Sequence, residues 1–242
     1  MITLGLDSSG KAAGVALLQE DELLYESYLH TGLTHSETLL PMVESALGAA
    51  GLRVSDLGLL AVGAGPGSFT GLRIGMALVK GLALPNAIPC AGVSSLEALA
   101  RSFALPADGT VIAAEDARRG EVYYAAFRRA GDDLVRLCAD TAGDPAPLAA
   151  LLADVKKPVF LVGDGAQVCY NKLESALALE PVPAPWRLGR AAGVALAGLA
   201  QSRRGEAVAA AALRPVYLRL SQAQRERQER LAREQTKESG QQ

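Results

Sequence analysis

One run of residues constrains this chain more than any other: Gly65-Pro66-Gly67-Ser68-Phe69-Thr70-Gly71-Leu72-Arg73-Ile74-Gly75. An apolar stretch, Leu57 to Val62, leads into it, and a helix-like stretch, Leu72 to Leu84, leads out. A buried strand therefore ends at a glycine-rich turn whose amides point toward a helix start. Such a turn either holds an anion or lets one backbone lie close on another. It is no Walker A loop, because no Lys-Ser or Lys-Thr pair stands at the required place. It is no dinucleotide fingerprint either, because Thr70 stands where the third glycine would fall. Gly71 and Gly75 lie one helical turn apart, with Ala77 and Gly81 near them. That small-sided face admits a close neighbour, either from the same chain or from a partner.

The 242 residues suffice for one large domain or two medium ones, and half of them are hydrophobic, enough for a sizeable core. A net charge of -2 gives no electrostatic footprint of a stand-alone nucleic-acid binder. The three cysteines, Cys90, Cys138 and Cys169, are widely spaced, which suggests neither a zinc site nor a disulfide framework. The start, Met1 to Asp7, lacks the basic residues and long apolar stretch of a signal peptide. No apolar run approaches the ~18 residues that span a bilayer. A cytoplasmic protein with no membrane partner is expected.

A pattern recurs along the chain. Ile2–Asp7, Ala13–Gln19 and Leu23–Leu29 read as strands of an antiparallel meander with Asp7 at the tip of the first. Thr34 and Glu37 fit a capping box, and Leu39, Met42, Val43, Ala46 and Leu47 follow at helical spacing. Pro41 predicts a kink or a later start, and Gly51 the end. The strand to Val62, the glycine loop and its helix follow. A short strand at Cys90–Val93 and a helix from Ser94 to about Phe103 close the first half. Thr110–Glu115, Glu121–Phe127 and Leu134–Cys138 then read as a second meander. A helical stretch at Pro147–Val155, a strand at Pro158–Val162, Gly163-Asp164-Gly165 and another helix complete the repeat. Asp7 matches Asp116, and the loops beginning at Gly63 and Gly163 match each other. The chain therefore reads as a duplicated α/β domain with a cleft between its halves. Residues 1–102 form the first subdomain and 103–219 the second. Within the second, 188–202 is a helix that packs back on the first. Residues 220–242 form a charged tail, a frayed helix or disorder.

Candidate site residues cluster at the matched loops. Asp7, Ser8 and Ser9 either face a nucleotide phosphate and its metal or cap a turn. Lys11 and Asp116 either support a phosphate or metal or are plain turn residues. Asp164, between Gly163 and Gly165, is first a turn residue and in the alternative part of a phosphate loop; with these three the candidate vestigial nucleotide cleft is complete. His30 and His35 are five apart and do not share a helix face, so no metal pair is expected. Ser68 is more naturally an N-cap than a nucleophile. Arg118 and Arg119 either bind an anion or are solvated.

Five segments carry a resemblance: Leu6-Asp7-Ser8-Ser9, His35-Ser36-Glu37-x-Leu39-Leu40-Pro41, the glycine run, Asp116-Ala117-Arg118-Arg119-Gly120-Glu121-Val122-Tyr123, and Pro215-x-Tyr217-x-Arg219. On these the chain resembles the TsaB (YeaZ) family of bacteria over residues 1 to 219. The resemblance implies an α/β, duplicated actin/sugar-kinase/Hsp70-like (ASKHA) fold, with mixed sheets flanked by helices. It implies a part in forming N6-threonylcarbamoyladenosine beside the anticodon of tRNAs that read codons beginning with A. In that pathway the resemblance implies that a sister protein, TsaD, is the catalytic transferase, moving threonylcarbamoyl from threonylcarbamoyl-AMP to the adenosine, with this family as its required partner and an ATPase, TsaE, joining the two. Where the sister family has two metal-binding histidines, this chain has Ser95 and Leu99; serine is a poor metal ligand and leucine is none. The expectation is a non-catalytic partner with no cofactor and no metal, touching tRNA indirectly at most. His35, Leu39, Met42, Val43, Ala46, Gly71, Leu72, Gly75, Met76 and Val79 are expected at the interface with the sister subunit, and the same face forms a homodimer when the chain is alone. The competing readings are a nucleotide-dependent ATPase or kinase of the superfamily, a peptidase, and a direct tRNA binder.

Overall fold

A computed structural model describes residues 1–219. The charged tail, 220–242, lies outside the described residues. Strands β1 (Ile2–Asp7), β2 (Ala13–Gln19), β3 (Glu22–Leu29), β4 (Leu59–Gly65) and β5 (Cys90–Ser94) form one mixed sheet in the order β3-β2-β1-β4-β5. The β1–β2 and β2–β3 pairs are antiparallel, whereas β4 runs parallel to β1 and β5. The second sheet repeats the plan. Its strands β6 (Thr110–Asp116), β7 (Val122–Ala130), β8 (Asp133–Arg136), β10 (Val159–Val162) and β11 (Leu179–Pro181) lie in the order β8-β7-β6-β10-β11, and β9 (Thr141–Gly143) pairs with β7. The expected duplication is thus present, with one strand order written twice.

Helix α1 (His35–Ala50) and helix α2 (Phe69–Ala83) cover one face of the first sheet. The alternation of strand side chains explains this: Leu4, Leu6, Leu60 and Val62 point to these helices. Glu37 closes the α1 capping box, accepting from the Thr34 backbone N–H at 3.3 Å, and Gly51 ends the helix in the left-handed conformation. Pro41 does not delay the start. It is exposed, so the carbonyl it leaves unpaired can turn to water. Ser68 caps α2, accepting from Gly71 N–H at 3.2 Å, and the helix begins three residues before Leu72.

The other face of that sheet is covered from the far end of the chain. Helix α6 (Ala191–Arg203) lays Val194 and Ala197 on Leu59, Ala61, Ala91 and Val93. Small residues let it come close: a Cβ on Gly5 would meet the Ala195 Cβ at 2.7 Å. Ala210 and Leu213 also join the first core. Helix α3 (Ser95–Arg101) lies between α6 and the second sheet, packing Leu96, Leu99 and Ala100 on Val111, Ala113 and Phe127. On the outer face of the second sheet, α4 (Leu148–Leu151) and α5 (Ala166–Leu173) bury Leu148, Cys169 and Leu173 against Ile112 and Ala114. The expected helix over 147–155 shrinks to the four residues of α4.

Candidate functional site

Between the lobes lies a cleft of about 620 Å³. It is lined by the carboxylates of Asp7, Glu115, Asp116 and Asp164, by Lys11 and Arg118, and by Phe69, Tyr123 and Tyr217. Asp7 and Asp116 end the central strands of the two sheets, β1 and β6. Each bends back on its own turn: Asp7 Oδ1 accepts from Ser9 N–H at 2.9 Å and Ser9 Oγ at 2.7 Å, and Asp116 Oδ1 accepts from Arg118 N–H at 2.7 Å. Asp164 faces Asp116, accepting its backbone N–H at 2.7 Å, and pairs with Lys11 Nζ at 3.0 Å across the cleft. Ser8 is buried and donates to the Gly71 carbonyl at 2.9 Å.

Sequence reasoning passed over Glu115. It lies near the end of β6, on the same side as Val111 and Ala113, and lines the cleft. Burial, and after it the charges of Asp7, Asp164 and Asp140, push its carboxyl well above the ordinary range. The apolar run before it, Val111 to Ala114, was the available signal, since a glutamate ending such a run is carried inward by the strand.

The glycine-rich run resolves in favour of packing. Ser68 N–H donates to the Ser9 carbonyl at 2.7 Å, so the loop amide is spent on the β1–β2 turn. A Cβ on Gly67, Gly71 or Gly75 would collide with Ser9 or Ser8 of that turn, and one on Gly65 with the Val216 carbonyl. Gly63 sits inside β4 rather than in the loop after it, whereas Gly163 does follow β10. Gly163 N–H donates to the Arg187 carbonyl at 2.7 Å, and Gly165 N–H to the Ala114 carbonyl at 3.0 Å. Four carboxylates, Asp7, Glu115, Asp116 and Asp164, face the cleft beside Lys11 and Arg118, and the Ser68, Gly163 and Gly165 amides already donate to backbone carbonyls. Among the described residues no group of three or more His, Cys, Asp or Glu side chains could hold a metal ion. Ser95 and Leu99 are buried on α3, and Ser95 Oγ has no hydrogen-bond partner.

The expected partner face needs correction. Leu39, Val43, Ala46, Met76 and Val79 are buried in the protein's own core, Leu72 is likewise fully buried, and Gly71 and Gly75 lie against Ser8. Met42 is partly buried on the same core. His35 is partly buried at the start of α1, its Nε2 3.1 Å from the Gly10 carbonyl oxygen. The reason is geometric: a helix on a sheet turns its most apolar face to that sheet. The outward residues are different ones. On α2, Ile74, Ala77, Leu78 and Gly81 fall at i, i+3, i+4 and i+7; Ala77 and Gly81 are exposed, while Ile74 and Leu78, like Met42, are half-buried and pack in part against that core. Leu40 of α1 and Leu84 after α2 are exposed at 44% and 66%.

A family model described as TsaD, tRNA N6-adenosine threonylcarbamoyltransferase, matches residues 30–226. The tRNA threonylcarbamoyladenosine biosynthesis protein TsaB of Bacillus subtilis (strain 168) is 33% identical over 229 residues, which is 93% of this chain and 96% of that protein. The chain belongs to the TsaB (YeaZ) family. The family's Escherichia coli (strain K12) member is 40% identical over 130 residues, 53% of this chain and 56% of that protein. A solved structure of YeaZ from Pseudomonas aeruginosa superposes with a TM-score of 0.73 at 31% identity, covering 90% of this chain and 99% of that one. That YeaZ protein thus shares this chain's architecture as well as its sequence. No helix among the described residues is long and apolar enough to cross a membrane.

Proposed function

We propose that this chain is a non-catalytic partner of a TsaD-like transferase in the formation of N6-threonylcarbamoyladenosine on tRNA. The observation that carries this reading is the identity to a TsaB protein over nearly the whole length of both chains. The cleft supports the non-catalytic part, because its loops are packed on the chain's own backbone rather than shaped to cradle phosphates. The transfer itself, from threonylcarbamoyl-AMP to adenosine, belongs to the partner. A TsaE-like ATPase joins the two in the cytoplasm, and tRNA is touched indirectly at most.

The outer stripe of α2, Ile74, Ala77, Leu78 and Gly81, with Leu40 of α1, docks on the catalytic subunit. Small residues at Ala77 and Gly81 let a partner helix approach closely, and burial of the leucines supplies the driving force. Alone, the same stripe pairs with a second copy about a two-fold axis. Docking biases the catalytic subunit toward its competent conformation.

Reconstitution of threonylcarbamoyl transfer from purified TsaD-like and TsaE-like proteins tests this, with the chain present, absent, or alone. Transfer is expected only when chain and partner are both present. Turnover by the chain alone, or full transfer without it, would overturn the reading.

A further inference from the structure

The last described residues, Pro215 to Arg219, belong to neither sheet, yet they hold on to both lobes. On the first lobe, Val216 N–H donates to the Ala64 carbonyl at 2.7 Å, and the Val216 carbonyl lies over Gly65. The Tyr217 ring stacks on Phe69 with centroids 4.4 Å apart. Arg73 covers the Phe69 ring at 3.9 Å and donates from Nε to the Tyr217 hydroxyl at 2.9 Å. On the second lobe, Arg219 donates from Nη1 to the Ala117 carbonyl at 2.9 Å and pairs with Glu121. The segment thus crosses the mouth of the cleft, and its first-lobe seat is the opening of α2, where Phe69 and Arg73 lie. Gly65 has φ of +122° and no room for a side chain beneath Val216, so the first glycine of the signature is the seat of this segment.

We propose that Pro215–Arg219 is a clasp that locks the two lobes together and fixes the first turns of α2, so that cleft opening and the position of α2 change together. A further tie at the rim, Lys11–Asp164, is a weaker candidate because the Lys11 side chain is 64% exposed and water screens the pair. The clasp combines a backbone hydrogen bond, a ring stack and a guanidinium over the Phe69 ring, and the Arg219 side chain at its other end is only 17% exposed. The clasp stands on geometry alone; its bearing on partner docking rests on the function proposed above.

Hydrogen exchange on the full chain, read by mass spectrometry, tests the clasp. Tyr217→Ala touches only the first lobe. It is expected to speed amide exchange about tenfold or more both in 65–73 and in the distant turn 117–122. Tyr217→Phe keeps the ring stack and is expected to leave 117–122 near its original rate. Arg219→Gln cuts the other end and is expected to speed exchange in 69–73; this arm decides the matter if Tyr217→Ala does not fold. Exchange that quickens only beside the substituted residue in both variants would overturn the clasp. Co-elution with the TsaD-like subunit adds a separate readout: a variant that loosens both segments is expected to co-elute less. Undiminished co-elution would overturn the coupling to docking and leave the proposed function standing.

Discussion

Gly75 of α2 lies directly against the Ser8 hydroxyl. A Cβ at Gly75 would overlap Oγ of Ser8, which is already buried and donating to the Gly71 carbonyl. The contact is internal, between the second helix and the β1–β2 turn.

Gly75→Ala is therefore expected to destabilise the fold by about 1–3 kcal/mol, the range for overpacking a close contact. Ser8→Ala in the same chain should restore part of that, because it removes the overlapping oxygen. Ala77→Arg and Gly81→Arg should stay within about 0.5 kcal/mol of the parent in urea unfolding. These two should abolish co-elution with the catalytic subunit. Strong destabilisation by Gly81→Arg would show that this residue faces the protein interior.

Glu115 gives a pH dependence with a definite sign. Its carboxyl titrates well above 4.5 in the folded protein and near 4.5 in the unfolded chain. Between those values the folded state binds more protons, so stability falls as pH rises through that window. Glu115→Gln should flatten this slope and be more stable than the parent at the upper end of the window. Urea unfolding at a series of pH values above 4.5 checks it; a parent that gains stability over this range through Glu115 would contradict the assignment.

The three thiols should react in a fixed order. Burial pushes Cys169 up to about 12, and Cys90 is also buried and raised. Cys138 is raised too but is only partly buried, its Sγ accepting from Ala126 N–H at 3.3 Å. A thiol reagent at neutral pH should modify Cys138 first and slowly, and all three only in denaturant. Peptide mapping of the modified sites gives the order.

Lys11→Ala should change stability by less than about 1 kcal/mol, because one partner of its ion pair is largely in water. A larger loss in chemical denaturation would mean that this pair holds the lobes together.

The repeated lobe was legible because it rests on local signals. Predominantly apolar runs marked β1, β2 and β10, the Thr34–Glu37 pair marked the start of α1, and Gly51 its end. Glycine and proline punctuation separated them. What was not legible depends on contacts between distant segments. Leu39, Leu72 and Val79 carry the same apolar signal whether they meet a partner or their own sheet, and only the fold tells which. The short strands β9 and β11 have three residues each and form because β7 and β10 offer free edges. In the cleft, Asp7, Asp116 and Asp164 were found because aspartates at matched turns stand out. The seat that Gly65 offers Val216 joins residues 151 positions apart and left no mark in either neighbourhood alone.

Because α6 supplies the second cover of the first sheet, the amino-terminal lobe cannot be finished in the order in which it is made. A ribosome that has released only β1 to β5 presents Leu59, Ala61, Ala91 and Val93 bare on one side. That side stays uncovered until residues 191–203 have emerged, after the entire second sheet has been synthesised. Nascent or truncated chains ending before α6 are therefore natural clients for chaperones and proteases, and folding of this protein awaits its own carboxyl-terminal half.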